Sequence, residues 1–474
     1  MATKIGLIAQ ELSRTNSWWK TGSWWKHDPD LLDAERLDLG YRSDCLAGLE
    51  RGGLYILRGP RRVGKTVAIK QAIHALIDGG ANPRAIVAAS ADGWSERDLR
   101  SLTQNTALPP LNAVEHRWWF IDEITAIKGD WPAQVKWLRD NDTSFRSATV
   151  VLTGSNARGL SEAVGLLAGR RGNALRPDRT LFPMGFATAA RILRPDLPVS
   201  ENLGLADLGS RTAADQFADL IPYLDDLVVS WETYLQCGGF PVAVAARRRG
   251  EQTPQQFDDA LFDVIQRDAF IRSSLSESVT TALLNRIAVG LCSPFNISNA
   301  ARDIGLTNDT MARRIDDLLD AYLVWNCPQA DDASWIPRHG SMPKLYFVDP
   351  LHARLANHRN PGYAQPDLTA VVEQQLGMAL RRRIDTSAPG RWAEHDQILH
   401  LRTSARKEID FVGPDLGRFA VESKYTESGS WRGEASTVIA SGYFGLLATR
   451  NVLDTGSADA WAVPAAMLAY LIDT

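Results

Sequence analysis

Cysteine is scarce in this chain, with four in 474 residues at Cys45, Cys237, Cys292 and Cys327 and no CxxC pair among them. That spacing excludes a disulfide framework and a zinc ribbon, shows no metal-like coupling to the eight histidines, and fits a reducing cytoplasm. Long apolar runs are also missing. The nearest approach, 460–472, is interrupted by Pro464, and the N-terminal run 5–9 ends before Glu11, too short for a signal-peptide core. No membrane partner is expected. Neither sign of charge is in excess: 52 Lys and Arg stand against 56 Asp and Glu, a net charge of −4. This removes the globally basic nucleic-acid binder and leaves local patches to meet any polyanion.

What is present is the composition of a globular protein, 45% hydrophobic and 23% charged, long enough for about three domains at roughly 150 residues each. A Trp-rich arm (1–40) carries the echo Ser17-Trp18-Trp19-Lys20 and Ser23-Trp24-Trp25-Lys26, readable as pinning onto its own domain or as an exposed stacking surface. Across 41–190, short apolar runs at 54–57, 85–89, 118–121, 149–152 and 180–184 alternate with amphipathic stretches, which predicts an α/β parallel sheet. A helical region (191–279), short helices with a turn (280–349) and a second α/β domain (350–474) follow. In the last, a long helix through Arg383 precedes three strand-like runs, a helix and a final strand.

The segment Gly59-Pro60-Arg61-Arg62-Val63-Gly64-Lys65-Thr66 satisfies GxxxxGK[ST] between a strand and a helix. Its backbone N–H groups and the following helix N-terminus suit phosphate oxygens, so ATP is the expected ligand. Lys65 is expected at the β- and γ-phosphates and Thr66 on Mg²⁺. Trp118-Trp119-Phe120-Ile121-Asp122-Glu123 has the Walker B form, with Asp122 for the Mg²⁺ shell and Glu123 to polarise the attacking water. Thr153 or Ser155, at the next strand end, reads as a γ-phosphate sensor or as an ordinary turn. In Gly169-Arg170-Arg171-Gly172, Arg170 can serve as an arginine finger toward a neighbouring subunit, or simply be solvated; the first option implies a homo-oligomer.

With these motifs in place, the chain resembles a large family of bacterial and archaeal AAA-type P-loop ATPases. The likeness also covers Asp28-Pro29-Asp30, Thr153-Gly154-Ser155, Leu167-Ala168-Gly169-Arg170 and Leu235-Gln236-Cys237-Gly238-Gly239-Phe240-Pro241. It continues through Lys344-Leu345-Tyr346-Phe347-Val348-Asp349, Glu408-Ile409-Asp410-Phe411 and Glu422-Ser423-Lys424; the family's Glu-Asn is here Glu373-Gln374. The resemblance implies an additional-strand, catalytic-glutamate ATPase domain, a winged-helix-like middle and a C-terminal domain like restriction endonucleases (PD-(D/E)xK).

Residues 298–320 have the length and turn of a helix-turn-helix, but five aspartates face three arginines there, poor electrostatics for a phosphate backbone. Further on, a turn at 413–417 joins the strands of Asp410 and Glu422. Correct register would let these two carboxylates, with Glu373 from the preceding helix, bind Mg²⁺ while Lys424 stabilises charge at phosphorus; the alternative is a docking surface. Arg381, Arg382 and Arg383 offer a basic patch nearby, or merely complement a helix C-terminus. The expected function is a Mg²⁺-dependent ATP hydrolase that positions or moves DNA, branched DNA included. The alternatives are an ATP-gated DNA nuclease of defence or repair, and a nucleotide-controlled switch or scaffold with a protein partner.

Overall fold

The structure is a computed structural model; it describes residues 4–103, 108–109, 111, 115–154, 163–266, 276–331, 335–387, 397–403, 407–425 and 431–473. The chain forms two compact units, Met1–Leu181 and Phe182–Thr474.

The first unit is built on five parallel strands: β1 (Leu54–Arg58), β2 (Ile86–Ser90), β3 (Trp118–Asp122), β4 (Thr149–Thr153) and β5 (Asp178–Thr180). Their order is β2-β3-β4-β1-β5. Both β1 and β4 are buried along their whole length, which is why they read as continuous apolar runs and not as alternating ones. The extra strand β4 lies between β1 and β3, as the family resemblance implied. Leu54, Ile56, Trp119, Ile121, Val150 and Leu152 join one core with Val135 and Leu138 of the helix Trp131–Asn141.

β2 is an edge strand, and edges invite pairing with other chains. The N-terminal arm covers it with side chains. Asn16 donates to the Ala88 carbonyl at 2.8 Å and accepts from the Ala88 N–H at 2.7 Å, while the Trp18 and Trp19 indoles donate to the Ile86 carbonyl at 3.0 and 2.8 Å. Trp18 and Trp24 are buried edge-to-face with centroids 5.0 Å apart. Asp28 caps the helix Pro29–Arg36 with one oxygen and holds Lys70 at 2.7 Å with the other. Of the two readings of the paired tryptophans, packing describes Trp18 and Trp24.

In the second unit, the helices Ile297–Ile304 and Asn308–Asp320 flank a turn in which Gly305 takes φ 77°, a left-handed conformation natural to glycine. The antiparallel pair β6 (Val324–Cys327) and β7 (Lys344–Phe347) follows. Next come the helix Leu368–Ser387 and the strands β8 (Leu399–Arg402), β9 (Glu408–Val412), β10 (Phe419–Ser423), β11 (Phe444–Thr449) and β12 (Ala460–Pro464). Their order is β12-β11-β10-β9-β8. β9 runs antiparallel to both β8 and β10, whereas β10, β11 and β12 are parallel.

The structure departs from two expectations. The C-terminal apolar run is not one final strand: Pro464 ends β12 and opens the buried helix Ala465–Ile472, apolar on every face because it is packed all round. Nor do Arg381 and Arg382 form a basic patch. The long helix continues to Ser387, and both guanidiniums are buried in the interior. Arg382 pairs with Asp473 at 2.5 and 2.7 Å, and Arg381 lies 4.8 Å over the Trp325 ring.

Candidate functional sites

The P-loop leaves the buried strand β1 through Gly59 at φ 138°, where a Cβ would sit 2.0 Å from the Leu181 carbonyl oxygen; only glycine fits. Arg62 is left-handed at φ 65°, and Gly64, at φ 98°, precedes the helix Lys65–Asp78. The turn thus aims a helix N-terminus at the space above β1. Arg61 and Arg62 are exposed on the loop, while Val63 is buried beneath it. Lys65 is buried and folds back on the loop, donating to the Gly59 and Pro60 carbonyls at 2.8 and 2.9 Å. Burial pushes its pKa down to about 8, against the pull of Glu123 and Asp122.

Thr66 is the most direct link between the two motifs. Its hydroxyl donates to Asp122 Oδ2 at 2.7 Å, joining the start of the helix to the end of β3 across β4. Asp122 Oδ1 accepts from Thr153 at the end of β4 and from the Glu123 N–H at 3.0 Å. Glu123 is itself left-handed at φ 50°, a strained conformation for a non-glycine residue, and its N–H also meets Thr153 Oγ1 at 3.4 Å. A hydroxyl and a carboxylate already within hydrogen-bond reach suit a small hard cation, so Thr66 and Asp122 fit Mg²⁺ as its protein ligands. The ion would neutralise phosphate charge there. Ser155 lies outside the described residues. Arg170 forms a two-pronged ion pair with Asp140 at 2.8 and 2.9 Å, and Arg171 pairs with Asp178 at 3.0 Å.

The C-terminal carboxylates meet as the hairpin reading anticipated. Phe411 pairs with Val421, which sets Asp410 opposite Glu422. Glu422 Oε2 accepts the Asp410 N–H at 3.1 Å, Asp410 Oδ2 accepts the Ser423 N–H at 2.9 Å, and Lys424 pairs with Glu422 at 3.0 Å. Glu373 is brought to the same place by the long helix, but a residue not anticipated stands among them. Lys344, fully buried on β7, reaches Glu373 at 2.9 Å, Glu408 at 2.6 Å and Asp410 at 3.2 Å. Burial disfavours its charge, yet Asp410, Glu373 and Glu408 hold its pKa well above the ordinary lysine value. Burial, then repulsion from Asp410, pushes Glu373 and Glu422 each up to about 7. The Tyr346 hydroxyl also donates to Glu373, at 2.5 Å. A lone lysine opening an otherwise apolar strand was the sequence signal for Lys344.

Fold and first site together define a P-loop ATPase domain, and residues 51–189 match the family described as AAA domain. The chain is an ATPase of this type. Residues 229–357 match a domain of unknown function, DUF8612, and no curated protein matches. Among solved structures the chain is similar to the Walker-type ATPase PABY2304 of Pyrococcus abyssi, at 12% identity over 69% of this chain and 95% of that one, TM-score 0.40. It is also similar to the ORC1 protein of Aeropyrum pernix in complex with DNA, at 12% identity over 73% and 97%, TM-score 0.28. A RuvB variant of Thermotoga maritima matches at 14% identity over 66% and 94%, TM-score 0.27. Among the described residues, no helix is long and apolar enough to cross a membrane.

Proposed function

We propose that this ATPase is a Mg²⁺-dependent cytoplasmic enzyme that works as a homo-oligomer and couples its nucleotide cycle to positioning or moving DNA. The carrying observation for the nucleotide half is the Thr66–Asp122 contact at 2.7 Å with Glu123 beside it, which supports Thr66 and Asp122 as the residues that would hold Mg²⁺ and Glu123 as the one that would polarise water. For the DNA half, support comes from the two helices, turn and antiparallel pair at 297–347, a winged-helix-like arrangement with Arg302 and Arg313 exposed. Purified full-length protein is expected to hydrolyse ATP faster with DNA present. Turnover indifferent to linear, branched and single-stranded DNA would overturn that half.

A second reading, a nucleotide-controlled switch with a protein partner, is favoured by one observation. Arg314 of the second helix is buried against Asp317 at 2.5 Å, leaving that helix a largely acidic outer face. It predicts slow turnover stimulated by a protein, without DNA affinity at low salt. Against phosphodiester cleavage stands the Lys344 ammonium already seated among the C-terminal carboxylates.

A further inference from the structure

A divalent-metal nuclease site needs carboxylate oxygens free to converge on one ion at about 2.0–2.1 Å for Mg²⁺. Here both oxygens of Asp410 and of Glu422, and Oε1 of Glu373, are engaged. Glu373 Oε1 takes both Lys344 and Tyr346; Asp410 Oδ1 takes Lys344 and Oδ2 the Ser423 N–H; Glu422 takes Lys424 on one oxygen and the Asp410 N–H on the other. Glu408 adds a further contact to the same ammonium. Among the described residues, no group of three or more His, Cys, Asp or Glu side chains is arranged to hold a metal ion.

We infer that Lys344 is the resident cation of this cluster: its ammonium takes the place a divalent ion would fill, so the C-terminal domain binds no catalytic metal through Glu373, Asp410 and Glu422. The chemistry supports the substitution. A lysine fully enclosed by protein is costly unless several anions compensate it, and three carboxylates here do so. Position supports it too. Lys344 comes from β7, Glu373 from the long helix, and Glu408 and Asp410 from β9, so the ammonium ties three elements together. Gln374 adds a parallel tether, its side-chain oxygen accepting the Phe347 N–H at 3.1 Å. The cluster is then a fixed internal joint.

The test is Mn²⁺ binding to the nucleotide-free full-length chain, followed by the electron paramagnetic resonance of free Mn²⁺. Wild type and the Asp410→Asn variant are expected to bind the same number of ions, since any ion at Thr66 and Asp122 is common to both. Lys344→Met is expected to gain one ion per chain, and adding Asp410→Asn to it should remove that ion. Loss of one ion from the wild-type count on Asp410→Asn would overturn the inference, as would a folded Lys344→Met chain that gains none. Should Lys344→Met fail to fold, the wild-type and Asp410→Asn comparison decides alone. None of these outcomes depends on whether the ATPase acts on DNA.

Discussion

At the scale of single residues, Glu123 and Lys65 carry the sharpest expectations. Glu123 is held in a strained left-handed conformation at the end of β3, beside the Asp122 that receives Thr66. Such strain is tolerated where a side chain must be aimed. Glu123→Gln keeps the shape and removes the base, so ATP should still bind while turnover falls by about 10²-fold or more. Single-turnover hydrolysis alongside binding of a fluorescent nucleotide reads both, and a wild-type rate would remove Glu123 from the mechanism. For Lys65 the expectation concerns pH. Burial pushes its pKa down to about 8, so the ammonium that should meet the β- and γ-phosphates is present below that pH and lost above it. ATP affinity of the nucleotide-free chain should weaken by up to about tenfold from pH 7 to pH 9, the protonated fraction falling about tenfold per pH unit above the pKa. In Lys65→Ala the step should vanish; a step that persists there would have to be assigned to another group.

Among the elements, the junction at Leu235-Gln236-Cys237-Gly238-Gly239-Phe240-Pro241 shows what a recognisable motif can mean without touching a ligand. The helix Leu224–Cys237 ends at Gly238, φ 72°, and Pro241 opens the next helix. A Cβ on Gly238 would lie 2.0 Å from Asp349 Oδ1, and one on Gly239 2.1 Å from the Met184 carbonyl. Asp349 accepts the Gly239 N–H at 2.8 Å and the Leu351 N–H at 2.9 Å. Gly239→Ala must push backbone from backbone, and overpacking of this kind costs about 1–3 kcal/mol. A lowered denaturation midpoint with ATP binding retained is the expected result; an unchanged midpoint would show that the junction relaxes freely. The same elements mark where sequence reading succeeds. β1, β3 and β4 were legible because burial on both faces makes them unbroken apolar runs, and the P-loop because its glycines are dictated by local geometry. For Lys344 the lone lysine on an apolar strand was legible but its role was not, because its partners lie 29, 64 and 66 positions away, at Glu373, Glu408 and Asp410, and no local pattern announces them. Arg381 and Arg382 misled for the same reason: three consecutive arginines look solvated until Asp473 and Trp325 are brought to them.

At the scale of the whole molecule, the net charge of −4 is compounded by how the cations are used. Arg58 and Arg171 share Asp178, Arg139 is spent on the carbonyls of Gly52, Phe145, Arg146 and Ala148, and Arg382 is sealed against Asp473. Cations held in this way stiffen the fold but leave little to offer a polyanion, so the proposed action on DNA would have to rest on exposed groups such as Arg302 and Arg313 and on the proposed assembly. Assembly bears on Arg170 as well. Its pair with Asp140 lies at the surface, where solvent screens it, so the guanidinium can exchange Asp140 for a neighbour's phosphate. If Arg170 acts across a subunit interface, Arg170→Ala should bind ATP normally and hydrolyse it poorly. Lys65→Ala should be inactive for the opposite reason, keeping its arginine and losing the ammonium that its own nucleotide site needs for turnover. Mixed together, the two inactive chains should regain part of the wild-type turnover, because an intact site on the Arg170→Ala chain can then face an intact arginine on the Lys65→Ala chain. Turnover measured against mixing ratio, with particle size followed in the same samples, separates the cases: recovery that peaks in the mixture and tracks the assembled species places Arg170 in the neighbour's site. Assembled mixtures that stay inactive would leave Arg170 with Asp140, as a surface pair of its own subunit.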